Sequence, residues 1–339
     1  MNNILVYCEL DGNKVAEVSM ELLSKGRQLA DTLGVELHAA ALGYNLSAVP
    51  QQLFPYGVDT LHLFDDERLA YYTTQPYTSA LCKLVKEEQP QILLLGATVV
   101  GRDLAPRLSS TLESGLTADC TALELGNYED KKSGGTIENL LYSIRPAFGG
   151  NIVATIVNPY HRPQMATVRE GVMPLIKSRP DSYEGKVVTH NVDDYVCDAD
   201  FAVHIIERHV EPRKNNLKGA QVVVAGGYGV GSKENFEMLH TLAYLLHGDV
   251  GATRAAVDAG FASHDRQIGQ TGLTVRPKVY IACGISGQVQ HISGMQDSGI
   301  IISVNSDPNA PINSIADYVI TGTVEEVVPK LINFYQQKS

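Results

Sequence analysis

The chain has no tryptophan, and aromatic residues fill only 7% of its 339 positions. Cysteine is sparse: Cys8, Cys82, Cys120, Cys197 and Cys283 lie far apart, with no CxxC pair. That spacing suggests neither a cysteine-bound zinc site nor a cysteine-ligated iron–sulfur cluster, and buried reduced thiols are the plain reading. No run of about 18 apolar residues occurs, so no membrane-crossing helix is expected. The first residues, MNNILVYCELDGNK, lack a basic stretch ahead of an apolar one and are not Arg- and Ser-rich. The expectation is a cytosolic protein. Basic charge is short as well, with 27 Lys and Arg against 38 Asp and Glu, a net charge of −11. Such a chain suits a phosphate backbone poorly, so nucleic acid is not an expected partner.

What is present is ordinary for a folded protein: 44% hydrophobic and 19% charged residues. The length points to two domains. In the first half, strand-like runs at Ile4–Cys8, Val35–Leu42, Thr60–Phe64 and Ile92–Gly96 alternate with helical patterns at Val15–Leu33, Tyr77–Glu88 and Gly101–Glu113. Nearly all-apolar strands alternating with helices predict a parallel sheet covered on both faces. Leu140–Ile144, Ile152–Val157, Gln164–Val168, Val187–Asn191 and His204–Arg208 read as further strands extending that sheet. The charged stretch Glu207–Lys218 contains Pro212 and lacks apolar periodicity, so it is the expected linker and hinge. This divides the chain into 1–206, 207–218 and 219–339. After the linker, strands at Gln221–Ala225, Val279–Cys283, Ile300–Asn305 and Tyr318–Thr321 alternate with helices at Lys233–Leu246, Gly287–Met295 and Val324–Gln337. The expected class is α/β: two domains, each on a mostly parallel sheet with flanking helices, the second doubly wound.

Four segments of the second half carry chemistry. Gly226-Gly227-Tyr228-Gly229-Val230-Gly231-Ser232 follows a strand and precedes a helix. Its glycines admit phosphate oxygens to backbone N–H groups at a helix start, although a tight turn needs the same residues and GxGxxG is not matched. Gly251-Ala252-Thr253-Arg254 places a cation after a strand, for a phosphate, a planar ring or a surface ion pair. Gln267-Ile268-Gly269-Gln270-Thr271-Gly272 is a loop rich in donors and acceptors, a composition that solvated turns share. In Ile281–His291 an apolar strand runs through Gly284-Ile285-Ser286-Gly287-Gln288 into a helix carrying Gln290 and His291. That strand end is where open α/β sheets bind ligands. A nucleophilic Ser286 is disfavoured, because Gln288 stands where GxSxG needs its second glycine and His291 lies only five residues away.

Taken together, these segments resemble the electron-transfer flavoprotein α subunit over nearly the whole chain. The most specific piece is YIACGISGQVQHISGM with IISVNSDPNAPI; GATRAAVDAG and QIGQTG support it. In the first half, Gly96–Thr121, Arg145–Ile156 and Arg162–Arg169 are also similar to the family. The resemblance implies a heterodimer with the family's β subunit, with FAD in the C-terminal domain and the N-terminal domain packed on β. It implies that Arg254 lies over the isoalloxazine ring. Ile268, Gly269, Gln270, Thr271 and Ser286 would lie near its reactive edge. Gly287, Gln288, Val289, Gln290 and His291 would serve the side that gains negative charge on reduction, His291 as a donor near O2 and N1. Asn305 and Thr323 would lie toward the adenosine end, and Gly229 at the phosphates. Tyr228 departs from an Arg common in relatives, Thr323 from a common Asp, and Glu170 from a Pro outside the FAD site.

The implied function is a carrier that moves electrons between an acyl-CoA dehydrogenase-type flavoenzyme and another redox partner. No catalytic residue and no metal are expected in the chain itself. In a bifurcating form, the complex would take hydride from NADH and split the electrons between an enoyl-CoA and ferredoxin or flavodoxin. The segment RPKVYIACGISG sets bifurcation as the expectation through its resemblance to anaerobe relatives. The rival of another class is a nucleotide-binding scaffold without redox work.

Overall fold

The computed structural model describes residues 3–130, 134–147, 152–208, 217 and 219–337. They form two compact units. One reaches to Ala147 and resumes from Ile152 to Arg208; the other follows it to the C-terminal helix. Most of the expected linker, 209–216 and 218, lies outside the described residues.

In the first unit, β1 (Asn3–Cys8) is followed by a small hairpin of β2 (Leu10–Asp11) and β3 (Lys14–Val15), then by α1 (Glu17–Leu33) and β4 (Glu36–Gly43). Next come α2 (Val49–Leu53), β5 (Thr60–Asp65), α3 (Thr74–Glu88), β6 (Ile92–Gly96), α4 (Val99–Thr111) and β7 (Leu116–Cys120). Then follow β8 (Ala122–Asp130), β9 (Gly135–Ala147), β10 (Ile152–Ile156), β11 (Gln164–Val168) and β12 (Lys186–Thr189). Seven strands form one parallel sheet in the order β12-β5-β4-β1-β6-β11-β7. Every residue of β1, β6 and β11 is buried, as two covered faces require. One face buries Val18, Leu22 and Leu23 of α1 with Ile4 and Val6. The other buries Leu81 and Leu84 of α3 and Leu104 and Leu108 of α4 with Leu5 and Leu93. Each such side chain contributes about 1.5–3 kcal/mol. Gly34 ends α1 at φ 67°, its N–H returning to Ala30 and Asp31 carbonyls.

Two sequence expectations change here, and two strands were missed. The strands around 140 and 152 do not extend the main sheet: β8, β9 and β10 form a separate antiparallel sheet. Strands β7 and β8 escape notice because few of their residues are buried, Thr117 and Cys120 in β7 and Leu123 and Asp130 in β8, so neither forms an apolar run. His204–Arg208 is not a strand. Ile206 there is fully solvent-facing, so no neighbouring strand rewards an extended pairing.

The second unit orders five parallel strands as β14-β13-β15-β16-β17. They are β13 (Val222–Gly226), β14 (Asp249–Ala252), β15 (Val279–Cys283), β16 (Ile300–Asn305) and β17 (Tyr318–Thr321). The helices are α5 (Lys233–Leu245), α6 (Arg254–Asp258), α7 (Val289–Ile292) and α8 (Val324–Gln336). Phe236 and Leu239 of α5 and Val324 and Val328 of α8 cover one face. Ile268, Val275, Met295 and Ile312, from loops, cover the other around Tyr280. The helix expected over Gly287–Met295 shrinks to α7. Gly287 sits at φ 90°, where an added Cβ would stand 2.3 Å from the Ile312 nitrogen, so the helix starts only beyond it. Since β13 sends the chain first to β14 on one side and then to β15 on the other, a crevice opens between their C-terminal ends.

Candidate functional site

That crevice is a cavity of about 790 Å³, walled by the loops that follow all five strands of the second unit and by the segment Gln267–Thr271. Its size suits a large organic cofactor. Of the residues expected to bind FAD, the structure gathers all but Val289 around it: Gly229, Thr253, Arg254, Ile268, Gly269, Gln270, Thr271, Ser286, Gly287, Gln288, Gln290, His291, Asn305 and Thr323.

The glycine loop is organised by its neighbour. Gly227 N–H donates to the Cys283 carbonyl at 2.9 Å, and Gly229 N–H to the Gly284 carbonyl at 3.0 Å. A Cβ at Gly227 would come within 2.2 Å of the Gly284 oxygen, and one at Gly229 within 2.7 Å. These glycines therefore let two strand-end loops touch. Both N–H groups already donate to protein, so a phosphate contact through them would require these bonds to be exchanged. Tyr228 between them is exposed and stacks on Phe261, ring centroids 5.8 Å apart.

Arg254 opens α6, where Thr253 Oγ1 caps the helix by accepting from Ala256 N–H at 3.3 Å. Its side chain is 70% exposed and paired only loosely with Asp258, at 3.5 Å one turn on. An exposed pair of this kind holds weakly. Among the described residues lining the cavity Arg254 is the single Lys or Arg, and Asp258, Asp307 and Glu325 line it as well.

The 267–272 loop is tied to α7. Gln270 N–H donates to the Gln290 carbonyl at 2.7 Å, and Gln267 Nε2 donates to Thr271 Oγ1 at 3.0 Å. His291 completes the tie. Its Nδ1 lies 3.0 Å from the Ile268 carbonyl and its Nε2 2.9 Å from the Tyr280 hydroxyl. A carbonyl only accepts, so Nδ1 carries the proton and Nε2 accepts from Tyr280. Burial holds His291 down to about 4, in keeping with a neutral ring. In this structure both ring nitrogens serve the protein, so a direct bond from His291 to a ligand would require one of these partners to be given up. Its Nε2 faces Tyr280 and not Ser286, so His291 does not serve that serine as a base. Cys283, buried at the strand end, has its thiol pushed up to about 12, so it offers no thiolate.

Other wall residues divide between pins and free groups. Asn305 is buried, donates through Nδ2 to the Ile285 carbonyl at 2.8 Å, and accepts through Oδ1 from Asp307 N–H at 3.0 Å. It holds two loops in place. Thr323 sits at the start of α8, its N–H donating to Glu326 at 3.4 Å. Gln270, Thr271, Ser286, Gln288 and Gln290 remain exposed to the cavity. Tyr280, Asp258 and Asp307 were not singled out from the sequence. The tie from Tyr280 to His291 joins residues eleven apart, on a strand and a helix, and no spacing motif announces it.

The chain matches two family models: the electron transfer flavoprotein domain over residues 4–195 and the electron transfer flavoprotein FAD-binding domain over 216–296. It is 44% identical over 331 residues to "Electron transfer flavoprotein subunit alpha" of Thermoanaerobacterium thermosaccharolyticum, covering 97% of this chain and 96% of that one. It is 45% identical over 332 residues to "Protein FixB" of Clostridium saccharobutylicum, covering 97% and 95%. It is 41% identical over 350 residues to "Acryloyl-CoA reductase electron transfer subunit beta" of Anaerotignum propionicum, covering 98% and 95%.

Proposed function

Since the chain belongs to the electron transfer flavoprotein alpha-subunit family, an FAD-binding, electron-carrying family, we propose that the crevice of its second unit is the FAD site. One observation carries this reading: the family-type segments, distant in sequence, converge on a single cavity at the switch point of a parallel sheet. The donor set suits the group. Exposed amides and hydroxyls surround an apolar strand end, and one exposed, loosely paired guanidinium stands beside them.

FAD supplies a ring that accepts and releases electrons singly or in pairs. The chain's residues supply the rest. Arg254 brings a planar cation that leaves Asp258 at little cost. Ser286, Gln288, Gln290 and Thr271 present hydrogen-bonding groups that tune a bound ring. Tyr280 and His291 hold the Ile268–Thr271 loop against α7, which fixes where those groups stand. Asn305 does the same for the loops after β15 and β16.

Alpha subunits of this family pair with a beta subunit. The exposed apolar side chains of β10, Ile152, Val153 and Ile156, support that strand as part of the docking surface in this chain. An acyl-CoA dehydrogenase-type flavoenzyme as electron partner is supported by the similarity to the acryloyl-CoA reductase subunit. The test is to purify the chain with its beta subunit and record the flavin spectrum, then repeat with Arg254→Ala and Ser286→Ala. A yellow heterodimer that a reduced acyl-CoA dehydrogenase reduces is expected, with weaker FAD retention in the Arg254 variant. A colourless heterodimer after FAD addition would return the scaffold reading. Ferredoxin reduction by NADH that requires an enoyl-CoA would mark the bifurcating form, and NADH without effect would mark a simple carrier. Among the described residues no helix is long and apolar enough to cross a membrane.

A further inference from the structure

The first unit brings together three histidines and two glutamates that the electron-carrying reading does not use. His38 lies on β4 and His62 on the adjacent β5. The register pairs Ala40 with His62, so the two rings are diagonal neighbours on one face of the sheet. His38 Nδ1 and His62 Nε2 face each other at 3.1 Å. Glu88, the last residue of α3, points its carboxylate at the same place, 3.5 Å from His38 Nδ1 and 4.0 Å from His62 Nε2. One ligand atom from each residue lies within 4.8 Å of the others. A tetrahedral ion with bonds of about 2.0–2.2 Å holds its ligand atoms about 3.3–3.6 Å apart, within the 3.1–4.0 Å spread of these distances.

The surrounding groups orient these atoms as metal sites do. Glu36 Oε2 lies 3.0 Å from His38 Nε2. A carboxylate accepts, so the proton sits on Nε2 and Nδ1 offers its lone pair inward. His190 Nε2 lies 3.0 Å from His62 Nδ1, and its ring is stacked on Phe64 with centroids 4.7 Å apart. It can accept from Nδ1, which leaves Nε2 of His62 free to coordinate. Asn3 donates to Glu88 at 3.5 Å, while its Oδ1 is buried without a hydrogen-bond partner among the described residues. A hydrogen-bonded histidine ladder alone explains the 3.1 Å contact. It does not explain why the Glu88 carboxylate converges on the same pair.

We propose that His38, His62 and Glu88 bind one divalent transition-metal ion of the zinc class, with Glu36 and His190 as positioning residues and a solvent molecule as a further ligand. Two histidines and a carboxylate are a donor set that zinc favours. Glu88 is 31% exposed at its side chain, which gives an ion a way in. The site uses none of the residues that line the FAD cavity.

The test uses the full chain with its beta subunit and FAD, stripped by chelator and then titrated with Co2+. One equivalent is expected to bind and give visible ligand-field bands, and Zn2+ should displace it. Glu88→Gln and His62→Asn should each weaken binding at least tenfold. Glu36→Gln, at a position 65% exposed and thus safe for folding, should weaken it about 10–100-fold by freeing the His38 ring. Melting curves and FAD content, unchanged in the two Glu variants, separate lost ligation from lost folding. Zn2+ should raise the melting temperature of the parent and not of Glu88→Gln. Absence of stoichiometric Co2+ binding, or equal affinity in the parent, Glu88→Gln and Glu36→Gln, would overturn the proposal and leave a plain histidine ladder.

Discussion

Replacing Tyr280 by Phe tests the central tie of the FAD site with one oxygen atom. Tyr280 is fully buried, and its hydroxyl meets His291 Nε2 at 2.9 Å. The other ring nitrogen is held by the Ile268 carbonyl at 3.0 Å, so the ring cannot turn to another partner without breaking that bond. Phe keeps the shape of the side chain, so no large cavity opens. What changes is that Nε2, on a residue only 6% exposed, loses its donor. A buried acceptor left unpaired costs about 1–3 kcal/mol. The FAD-depleted heterodimer should therefore unfold at lower urea with an unchanged slope. The double variant Tyr280→Phe/His291→Leu removes both partners and should fall short of additivity by about 0.5–3 kcal/mol.

The same variant distinguishes two states of His291. If the ring keeps its place when FAD is bound, Tyr280→Phe destabilises the loaded and depleted proteins alike. If Nε2 turns to the flavin on loading, the penalty is confined to the depleted protein, and FAD affinity rises in the variant. An unchanged unfolding midpoint in both forms would refute the argument, since Nε2 would then not depend on Tyr280 at all.

Gly229→Ala should destabilise the FAD-depleted protein itself by about 1–3 kcal/mol, because the new methyl meets the Gly284 oxygen at 2.7 Å. An FAD titration that weakens while the urea midpoint stays put would instead restore the phosphate role of that glycine. Arg254→Ala should leave the depleted protein's midpoint unchanged, since its one pairing is an exposed 3.5 Å contact, and should weaken FAD binding. Unaltered affinity by fluorescence titration would remove Arg254 from the site. His291, ordinarily near 6.5, is held by burial to about 4. The unfolded chain takes up its proton first as pH falls, so stability should decline from about pH 6.5 and level off below about 4. The loss is on the order of 3 kcal/mol. In His291→Gln, urea midpoints measured from pH 7 to 4 should lose that component, and an unchanged profile would count against it.

The parallel sheets were legible because covered strands are written as uninterrupted apolar runs. Ile92–Gly96 and Val279–Cys283 occur as strands at the residues where those runs lie. The antiparallel arm was not. In β8 only Leu123 and the terminal Asp130 are buried, and β10 has no buried residue, so their pairing leaves little trace in hydropathy. Helix starts suffered from backbone geometry that composition does not carry. Gly287 reads as a helix residue until Ile312 is seen to pass 2.3 Å from where its Cβ would be.

The FAD site shows a sharper division. Which segments meet was readable, because strand-end loops of a parallel sheet must converge at its switch point. What each side chain does there was not, because a role depends on whether its polar atoms are already engaged. His291 and Asn305 look like ligand-binding residues by type and place, yet both ring nitrogens of one and both amide ends of the other hold the protein together. Arg254 by its segment alone reads as a ligand for a phosphate or ring or as a surface ion pair, and its weak pairing as the one cation of the wall among the described residues is visible only in the structure. The histidine cluster makes the same point from the opposite side. His38, His62 and Glu88 come from two strands and a helix end, so no short spacing connects them. Only the register of β4 against β5 brings the two rings together. In this chain hydrogen-bond occupancy, more than residue type, separates groups that build a site from groups left to act in it.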